Sequence, residues 1–217
     1  MTKLRIVAIS DTHLQCPGLD IPECDVLIHA GDATGRGRLH EVTTFADWYA
    51  AYKNKAKWLL FTAGNHDWLF QREPDVARQI LEERGIHYLL DDWIVIEGVK
   101  FYGSPWQPWF HDWAFNLERG EPLRKIWDKI PADTDILLTH SPPMGYLDQN
   151  RYGEHCGCRD LTDRILEIKP RFSVFGHIHE GYGRDSYGGI EFINASICDG
   201  DYKAVNKPIY FEVEGRD

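Results

Sequence analysis

Five short aliphatic segments of this chain each end abruptly in aspartate, asparagine or histidine. The clearest is the stretch 58–68, in which an apolar run stops at Gly64 and Asn65, His66 and Asp67 follow. Each segment has the length and the aliphatic composition of a buried strand. When such strands alternate with helices, their carboxyl ends share one edge of a sheet, where ligand sites collect. This repeated ending therefore constrains both the fold and the function.

The other four segments end in side chains of the same kinds. These are Asp11 and His13 after Leu4–Ile9, Asp32 after Asp25–Ala30, His140 after Asp135–Thr139, and His177 and His179 after Phe172–Phe175. In an extended backbone, residues i and i+2 point to the same side, so the members of each i, i+2 pair converge. A single Asp or Asn beside glycine is usually a turn residue. Five endings of this kind are better explained by a shared site.

The remaining patterns predict the other elements of an α/β (α+β) protein. Apolar spacing predicts helices over 40–53, 73–84, 121–128 and 161–168, and strands over 88–90, 93–96, 99–102, 190–193 and 209–213. No repeat, linker or low-complexity segment divides the 217 residues. We therefore expect a single domain spanning residues 1–217.

Charge and composition exclude several classes of protein. The formal net charge of −10 argues against a nucleic-acid partner, because an acidic surface repels polyanions. No run of about 18 apolar residues is present, and Met1–Ser10 does not have the apolar run of a signal peptide, so we expect no membrane segment. Five cysteines at irregular spacings are typical of reduced thiols and predict a cytoplasmic protein.

The polar endings carry the ligand types of a divalent metal centre. Two carboxylates, an amide oxygen and four imidazoles suit borderline cations better than Ca²⁺, which prefers oxygen throughout. A shared carboxylate can hold two such ions about 3.5–4 Å apart, where they flank an in-line displacement at phosphorus. We therefore expect two divalent metal ions and a hydroxide nucleophile generated on them, with no side-chain nucleophile.

Taken together, these motifs resemble the calcineurin-like metallophosphoesterase superfamily. The resemblance rests on Asp11-Thr12-His13, Gly31-Asp32, Gly64-Asn65-His66-Asp67, Thr139-His140 and Gly176-His177-Ile178-His179. Residues 102–110, 138–143 and 174–182 are similar to the MPPED-type phosphodiesterase branch of that superfamily. The resemblance implies a four-layer αββα sandwich of two mixed β-sheets flanked by helices.

The resemblance also implies a role for each polar ending. The first metal ion would be held by Asp11, His13, Asp32 and His179, and the second by Asp32, Asn65, His140 and His177. Some MPPED-type proteins have glycine at the position of His177, so the histidine here predicts a complete binuclear centre. The preferred ion is Mn²⁺, with Fe, Zn or a mixed pair as alternatives. His66, which lies outside both sets, would protonate the leaving oxygen, and Asp67 would orient His66.

The predicted substrate is a small phosphodiester, with cyclic nucleotides as candidates. Arg36 falls at the phosphate-binding arginine of the protein phosphatases of the superfamily, whereas Ala63 stands where they carry a second arginine. Loss of that cation fits a diester, which has one negative charge, better than a doubly charged monoester. Trp106, Trp109 and Tyr146 could stack on a nucleobase, although a structural role for the tryptophans is as good an explanation.

Three alternatives remain open at this stage. The chain could be a phosphomonoesterase or a nuclease of the same fold, or a metal- or nucleotide-binding scaffold with weak activity. A nuclease needs a basic groove, which the net charge disfavours. A scaffold of this fold would lack a ligand, and here every expected ligand is present. The sequence is compatible with a monomer or a homo-oligomer.

Overall fold

The computed structural model describes residues 3–216 as two large β-sheets with helices outside them. Residues 1, 2 and 217 of the predicted domain lie outside the described residues. The strands are β1 (Lys3–Ile9), β2 (Cys24–His29), β3 (Ala56–Phe61), β4 (His87–Tyr88), β5 (Asp92–Ile96), β6 (Val99–Ser104), β7 (Gln107–Pro108), β8 (Asn116–Leu117), β9 (Ile136–Thr139), β10 (Phe172–Phe175), β11 (Gly183–Tyr187), β12 (Ile190–Asn194) and β13 (Ile209–Glu214). The helices are α1 (Leu39–Ala50), α2 (Trp68–Arg72), α3 (Pro74–Glu82), α4 (Glu121–Trp127) and α5 (Arg159–Ile168), with 3-10 turns at Ala51–Asn54 and His179–Gly181.

Both large sheets are mixed. The first has the strand order β13–β1–β2–β3–β4, in which only the β13–β1 pair is antiparallel. The second has the order β11–β12–β10–β9–β6–β5, with parallel central strands and an antiparallel hairpin at each edge. A parallel bridge between Ser10 and Ser196 joins the two sheets. The carboxyl ends of the parallel strands therefore come together from both sheets.

The alternation of apolar residues in β1 shows how the layers form. Ile6 and Ala8 face the core between the two sheets, whereas Val7 and Ile9 face the helical layer that contains Phe45 of α1. Side chains of successive strand residues point to opposite faces, so a continuous apolar run is buried on both sides. A third core lies between the second sheet and helices α4 and α5. The layers are helix, sheet, sheet and helix, which confirms the predicted αββα sandwich.

Most predicted elements are found close to their expected positions. The strand predicted over Phe172–Phe175 coincides with β10, and the helix predicted over 40–53 begins at Leu39 and ends at Ala50. Helix α2 and the strands β7, β8 and β11 are absent from the sequence prediction. The first three are too short to show a periodic pattern, and β11 is a polar edge strand without an apolar face. None of the helices described in residues 3–216 is both long and apolar enough to span a bilayer.

Candidate metal centre

The predicted ligands lie on loops that leave the strand ends in unusual backbone conformations. Asp11, His13, Asp32 and His177 all have positive φ, between 45° and 69°. A non-glycine residue in this region costs of order 1–3 kcal/mol and persists only when its surroundings hold it. Here those surroundings are hydrogen bonds between loops, such as Asp11 N–H to Gly31 O at 2.9 Å and His13 N–H to Asp32 O at 3.0 Å. Hydrogen bonds that cross the site therefore hold these strained backbone conformations in place.

Two glycines allow the backbone to pass close beside the carboxylates. A Cβ atom at Gly64 would collide with the Asp32 carboxylate, and a Cβ atom at Gly176 would collide with that of Asp11. The glycine in each Gly-Asn-His or Gly-His motif is thus required by packing against the opposite loop. This packing brings the strand ends of the two sheets into one site.

Six of the seven predicted metal ligands fall into two groups of converging atoms. In each group the ligand atoms lie within 4.8 Å of one another: one group contains Asp11, His13 and His179, and the other contains Asp32, His140 and His177. Asp32 also forms a third group with His13 and His66. Asn65 joins the second group, since its Oδ1 lies 3.0 Å from His140 Nε2. The structure therefore brings together all the residues predicted as ligands.

Backbone carbonyl groups orient the histidine rings. Nδ1 of His13 donates to Thr34 O at 3.2 Å, that of His140 to Ala30 O at 3.0 Å, and that of His179 to Asp199 O at 2.8 Å. A carbonyl oxygen can only accept, so each Nδ1 carries a proton and Nε2 is turned towards the centre. Such a contact fixes the tautomer of a metal-binding histidine.

When the imidazoles are neutral, as metal binding requires, the atoms that meet at the centre are acceptors facing acceptors. His13 Nε2 lies 3.4 Å from His179 Nε2, and His140 Nε2 lies 3.4 Å from Asp32 Oδ2. Neutral imidazole nitrogens, carboxylates and an amide oxygen offer no proton to one another, so the cluster needs a positive charge between them. The mixed nitrogen and oxygen donors fit a borderline divalent cation. The residues present are consequently suited to the metal centre that the sequence predicts.

The pKa values of the buried carboxylates and imidazoles also indicate that this site requires positive charge. Burial disfavours the ionised form of Asp11, but the hydrogen bond and charge of His179 outweigh it and hold the pKa of Asp11 below its ordinary value. Burial also lowers the pKa of His179 and of His140, yet Asp11 and Asp32 respectively overcome it and raise each pKa to about 9. Without metal, protons on these imidazoles take the place of cations, and metal binding must displace them.

His66 lies beside the centre with one ring nitrogen already engaged. Its Nδ1 donates to Gly35 O at 2.7 Å, and its Nε2 lies 3.9 Å from Asp32 Oδ2. Trp113 stacks on the ring, with centroids 4.2 Å apart and planes inclined by 26°. The carbonyl and the indole together fix the ring, and they leave Nε2 as the atom that faces the centre.

Asp67 does not orient His66, which corrects the role expected from the resemblance. Its carboxylate is buried and accepts hydrogen bonds from Gly64 N–H at 2.8 Å, from Thr34 N–H at 3.0 Å, and from the Thr34 hydroxyl at 2.7 Å. A further bond comes from Ala33 N–H at 3.3 Å. Burial and the charge of Asp32 raise the pKa of Asp67 to about 6. Asp67 therefore ties the loop after β2 to the loop after β3.

A cleft of about 320 Å³ opens above the metal ligands. Its lining residues, besides the ligands and His66, are Phe110, Trp113, Arg151, Glu180, Gly200 and Tyr202. Phe110 and Trp113 belong to the tryptophan-rich loop 106–113, which also contains Trp106 and Trp109, so this loop reaches the site. Arg151 and Tyr202 have no signal in the sequence, because their loops have no periodic pattern and no motif. Glu180 directly follows the motif Gly176–His179, but the motif does not indicate a role for it.

The four residues predicted to bind substrate are not among the described residues that line this cleft, so their role stays a prediction. Trp106 donates its Nε1–H to Asp91 at 3.2 Å and packs into the core, and Tyr146 stacks on Phe192 with centroids 3.9 Å apart. Trp109 is 61% exposed, and Arg36 is exposed as well. The aromatic composition of the sequence indicates that the loop containing Trp106 and Trp109 is part of the site, but it does not predict which way each ring points.

Two buried polar residues that the sequence prediction missed, His29 and Ser196, hydrogen-bond to the predicted ligands or to residues next to them. His29 accepts from Gly31 N–H at 3.3 Å and bonds the Thr12 hydroxyl at 2.9 Å. Ser196 donates to Asp11 Oδ2 at 2.9 Å, or alternatively to the Oδ1 of Asn194 at 2.8 Å. Each of these residues lies at or just beyond a strand end, which is the signal that could have identified them.

Comparison with known proteins places this site in a family. The family model described as calcineurin-like phosphoesterase matches residues 4–181. The proteins called metallophosphoesterase domain-containing protein 1 of Homo sapiens and Mus musculus are each 38% identical over 232 residues, covering 96% of this chain and 71% of theirs. A UPF0046 protein of Caenorhabditis elegans is 37% identical over 223 residues, covering 97% of this chain and 75% of its own.

A solved structure shows the same fold at low sequence identity. TT1561 of Thermus thermophilus superposes with a TM-score of 0.58 and 14% identity, over 89% of this chain and 89% of that one. The family match contains each of the five strand endings described above, from Asp11 to His179. The chain belongs to the calcineurin-like phosphoesterase family, and it is a phosphoesterase hydrolase built around a divalent metal centre.

Proposed function

We propose that this protein is a binuclear metal-dependent phosphodiesterase that hydrolyses small phosphodiesters, with cyclic nucleotides as the leading candidates. The observation that carries the proposal is the position of Asp32 between the two groups of ligands. Its carboxylate lies 3.4 Å from His140 Nε2 on one side and 3.9 Å from His13 Nε2 on the other. A carboxylate in this position can bridge two cations, as two-metal phosphoesterase chemistry requires.

The two sites follow from the groups of ligand atoms. The first would be held by Asp11, His13, Asp32 and His179, and the second by Asp32, Asn65, His140 and His177. When bound, two divalent ions supply a hydroxide nucleophile at neutral pH and offset negative charge on the phosphate. We propose Mn²⁺ as the preferred occupant, because the carboxylate and amide oxygens suit it. The imidazole nitrogens suit Fe or Zn, so either of these, or a mixed pair, is the alternative.

His66 is the proposed general acid. The Gly35 carbonyl holds the proton on Nδ1, so Nε2 is the atom that can carry a second proton to the leaving oxygen. An alkoxide leaves poorly without a proton, and general acid catalysis of this kind contributes about 10²–10⁴-fold. The stacked indole of Trp113 keeps the ring in this orientation and shields it from water.

The shape of the cleft favours a diester. A second groove of about 390 Å³, lined by Asp148, Gln149, His155 and Tyr182 among others, begins on the other side of Glu180. A diester has two substituents to accommodate, and the cleft and the groove offer one space for each. Phe110, Trp113 and Tyr202 provide the aromatic surface for a nucleobase in the cleft. Ala63 is buried and offers no cation for a second phosphate charge.

We also propose that the chain forms one domain. The core between the sheets combines Leu4 and Ile28 of the first half of the chain with Leu138, Val174 and Phe211 of the second. Neither sheet could bury its inner face without the other.

The test is to assay the protein, loaded with Mn²⁺, on bis-p-nitrophenyl phosphate and on p-nitrophenyl phosphate. We expect hydrolysis of the diester, lost after chelation and restored by Mn²⁺. Hydrolysis of the monoester alone would contradict the diesterase assignment. A panel of cyclic nucleotides, assayed under the same conditions, then tests the narrower substrate class.

A further inference from the structure

We propose that Arg151 and Glu180 form a charge-selecting pair at the mouth of the cleft, in which Glu180 masks Arg151 and thereby favours singly charged phosphodiesters over doubly charged phosphomonoesters. This inference rests on the proposed function. It assigns a role to two residues that neither the metal centre nor the general acid uses.

Arg151 is the first half of the pair. It belongs to the loop between β9 and α5, and among residues 3–216 it is the only arginine or lysine that lines the cleft. Its Nε lies 3.6 Å from Glu180 Oε1, and its side chain is 59% exposed. A guanidinium presents a planar set of five donors suited to phosphate oxygens. Arg151 is therefore the cationic side chain that is available to bind a substrate phosphate in the cleft.

Glu180 is the second half, and its backbone is well fixed. It follows His179 directly in the 3-10 turn His179–Gly181, which Gly181 N–H closes on Ile178 O at 2.9 Å. A Cβ atom at Gly181 would collide with Leu147 O, so this turn is packed tightly against the neighbouring loop. The carboxylate borders both the cleft and the groove. A negative charge is thus held at the junction of the two cavities.

Gly200 lies directly beneath the pair. A Cβ atom there would be 3.2 Å from Glu180 Oε1 and 3.3 Å from Arg151 Nη2. These distances are tighter than ordinary van der Waals contact, so the absent side chain leaves space for both charged groups. The pair therefore draws on three separate loops, and its position is set by packing as well as by charge.

The selectivity follows from counting charges. A phosphomonoester has a second pKa of about 6 and is a dianion above neutral pH, whereas a diester is a monoanion. A fixed anion repels a dianion twice as strongly as a monoanion, and a fixed cation attracts it twice as strongly. With Glu180 present, the charge of Arg151 is compensated and a second substrate charge gains little. Specificity of this kind comes from a repulsive element as much as from an attractive one.

The test compares the ratio of kcat/KM for p-nitrophenyl phosphate to kcat/KM for bis-p-nitrophenyl phosphate at pH 8. Glu180→Gln keeps the shape and removes the charge, so we expect this ratio to rise about three- to tenfold. Arg151→Gln should lower the ratio. In the double variant the rise caused by Glu180→Gln should largely disappear, because there is no cation left to unmask.

A matched control is available on α3. Arg78 and Glu82 form a pair with an Nη1–Oε1 distance of 3.7 Å outside the cleft, with exposures of 34% and 59%. Glu82→Gln makes the same change in net charge and should leave the ratio unchanged. Metal content of each variant is measured in parallel, because Glu180 is next to His179. A binding readout without turnover comes from calorimetric titration of inorganic phosphate, which should bind Glu180→Gln more tightly than the unmodified protein.

The outcomes separate the two proposals. If the Mn²⁺-loaded protein does not hydrolyse the diester at all, the proposed function fails. If it does, and Glu180→Gln retains its metal but shifts the ratio less than about twofold, the charge-selecting pair is wrong. A double variant whose ratio stays as high as that of Glu180→Gln alone would also overturn it, since Arg151 would then play no part in the selection.

Discussion

The predicted metal ligands and the rim of the cleft are held in opposite ways. Asp11 and His140 are fully buried, and each is fixed by hydrogen bonds to loops of the opposite sheet. On the rim, which we define as Phe110, Trp113, Arg151, Glu180 and Tyr202, Phe110 is 49% and Tyr202 48% exposed. The buried centre is over-determined by the fold, whereas the rim depends on a few contacts between loops. The predicted chemistry therefore depends on buried, tightly held residues, whereas the proposed choice of substrate depends on more exposed residues of the rim.

The largest expected effect is loss of a buried ligand. His140→Ala removes an imidazole from the second group, so we expect metal content to fall and turnover to drop by more than about 10⁴-fold, which exceeds what a general acid contributes. Elemental analysis and diester assays check the two results. Full activity with an unchanged metal content would remove the distinction between the centre and the rim.

His66 should separate catalysis from metal binding. We expect His66→Ala to retain its metal and to lose about 10²–10⁴-fold in kcat, because only proton delivery is removed. His40→Ala, on the exposed surface of α1, is the control for loss of a histidine. A fall in metal content equal to that of His140→Ala would place His66 among the ligands instead.

Asp67 tests how the centre is supported. Asp67→Asn keeps one oxygen acceptor and puts an amide group among N–H donors, so we expect a loss of about 2–3 kcal/mol in the free energy of unfolding, measured in urea. Thr34→Val removes the hydroxyl bond to Asp67 at 2.7 Å and the bond that the hydroxyl accepts from Gly37 N–H at 2.9 Å. It leaves the three backbone N–H bonds to Asp67 in place and should cost less. If Asp67→Asn instead left stability unchanged and reduced only kcat, the original idea that Asp67 orients His66 would be restored.

Trp113 and Trp109 belong to the same loop, but we expect their substitution to have different effects on activity. Trp113→Ala removes the ring stacked on His66, and we expect kcat/KM for an aromatic diester to fall about tenfold with metal retained. Trp109→Ala, which alters an exposed ring outside the cleft lining, should stay within about twofold. Equal losses in both variants would mean that the loop acts as a whole and not through one ring.

The sequence predicts the centre far better than the rim, for a physical reason. Asp11, Asp32 and His140 follow apolar strands whose period and length are visible in the sequence, and parallel strands bring their carboxyl ends together. The position of each ligand is thus a consequence of the sheet. Asp67 is different. It follows His66 in the sequence, but its carboxylate accepts hydrogen bonds from backbone amides of another loop, those of Ala33 and Thr34. No local sequence pattern predicts these contacts.

The rim has no comparable pattern. Arg151 and Tyr202 belong to irregular loops, and Glu180 belongs to the 3-10 turn His179–Gly181. The approach of all three to the cleft depends on tertiary packing. Trp106 and Tyr146 have rings that could stack on a nucleobase. In the structure, however, Trp106 hydrogen-bonds to Asp91 and Tyr146 stacks on Phe192. Residue type alone therefore indicates what a loop can bind, whereas the direction of its side chains comes only from the folded structure.

The central claim is that two cations share Asp32 at the meeting point of the strand ends. Anomalous scattering from crystals of the Mn²⁺-loaded protein tests it most directly. We predict two peaks about 3.5–4 Å apart on either side of the Asp32 carboxylate, one beside Asp11 and His179 and the other beside Asn65 and His140. A single peak, or two peaks that do not share Asp32, would contradict the account.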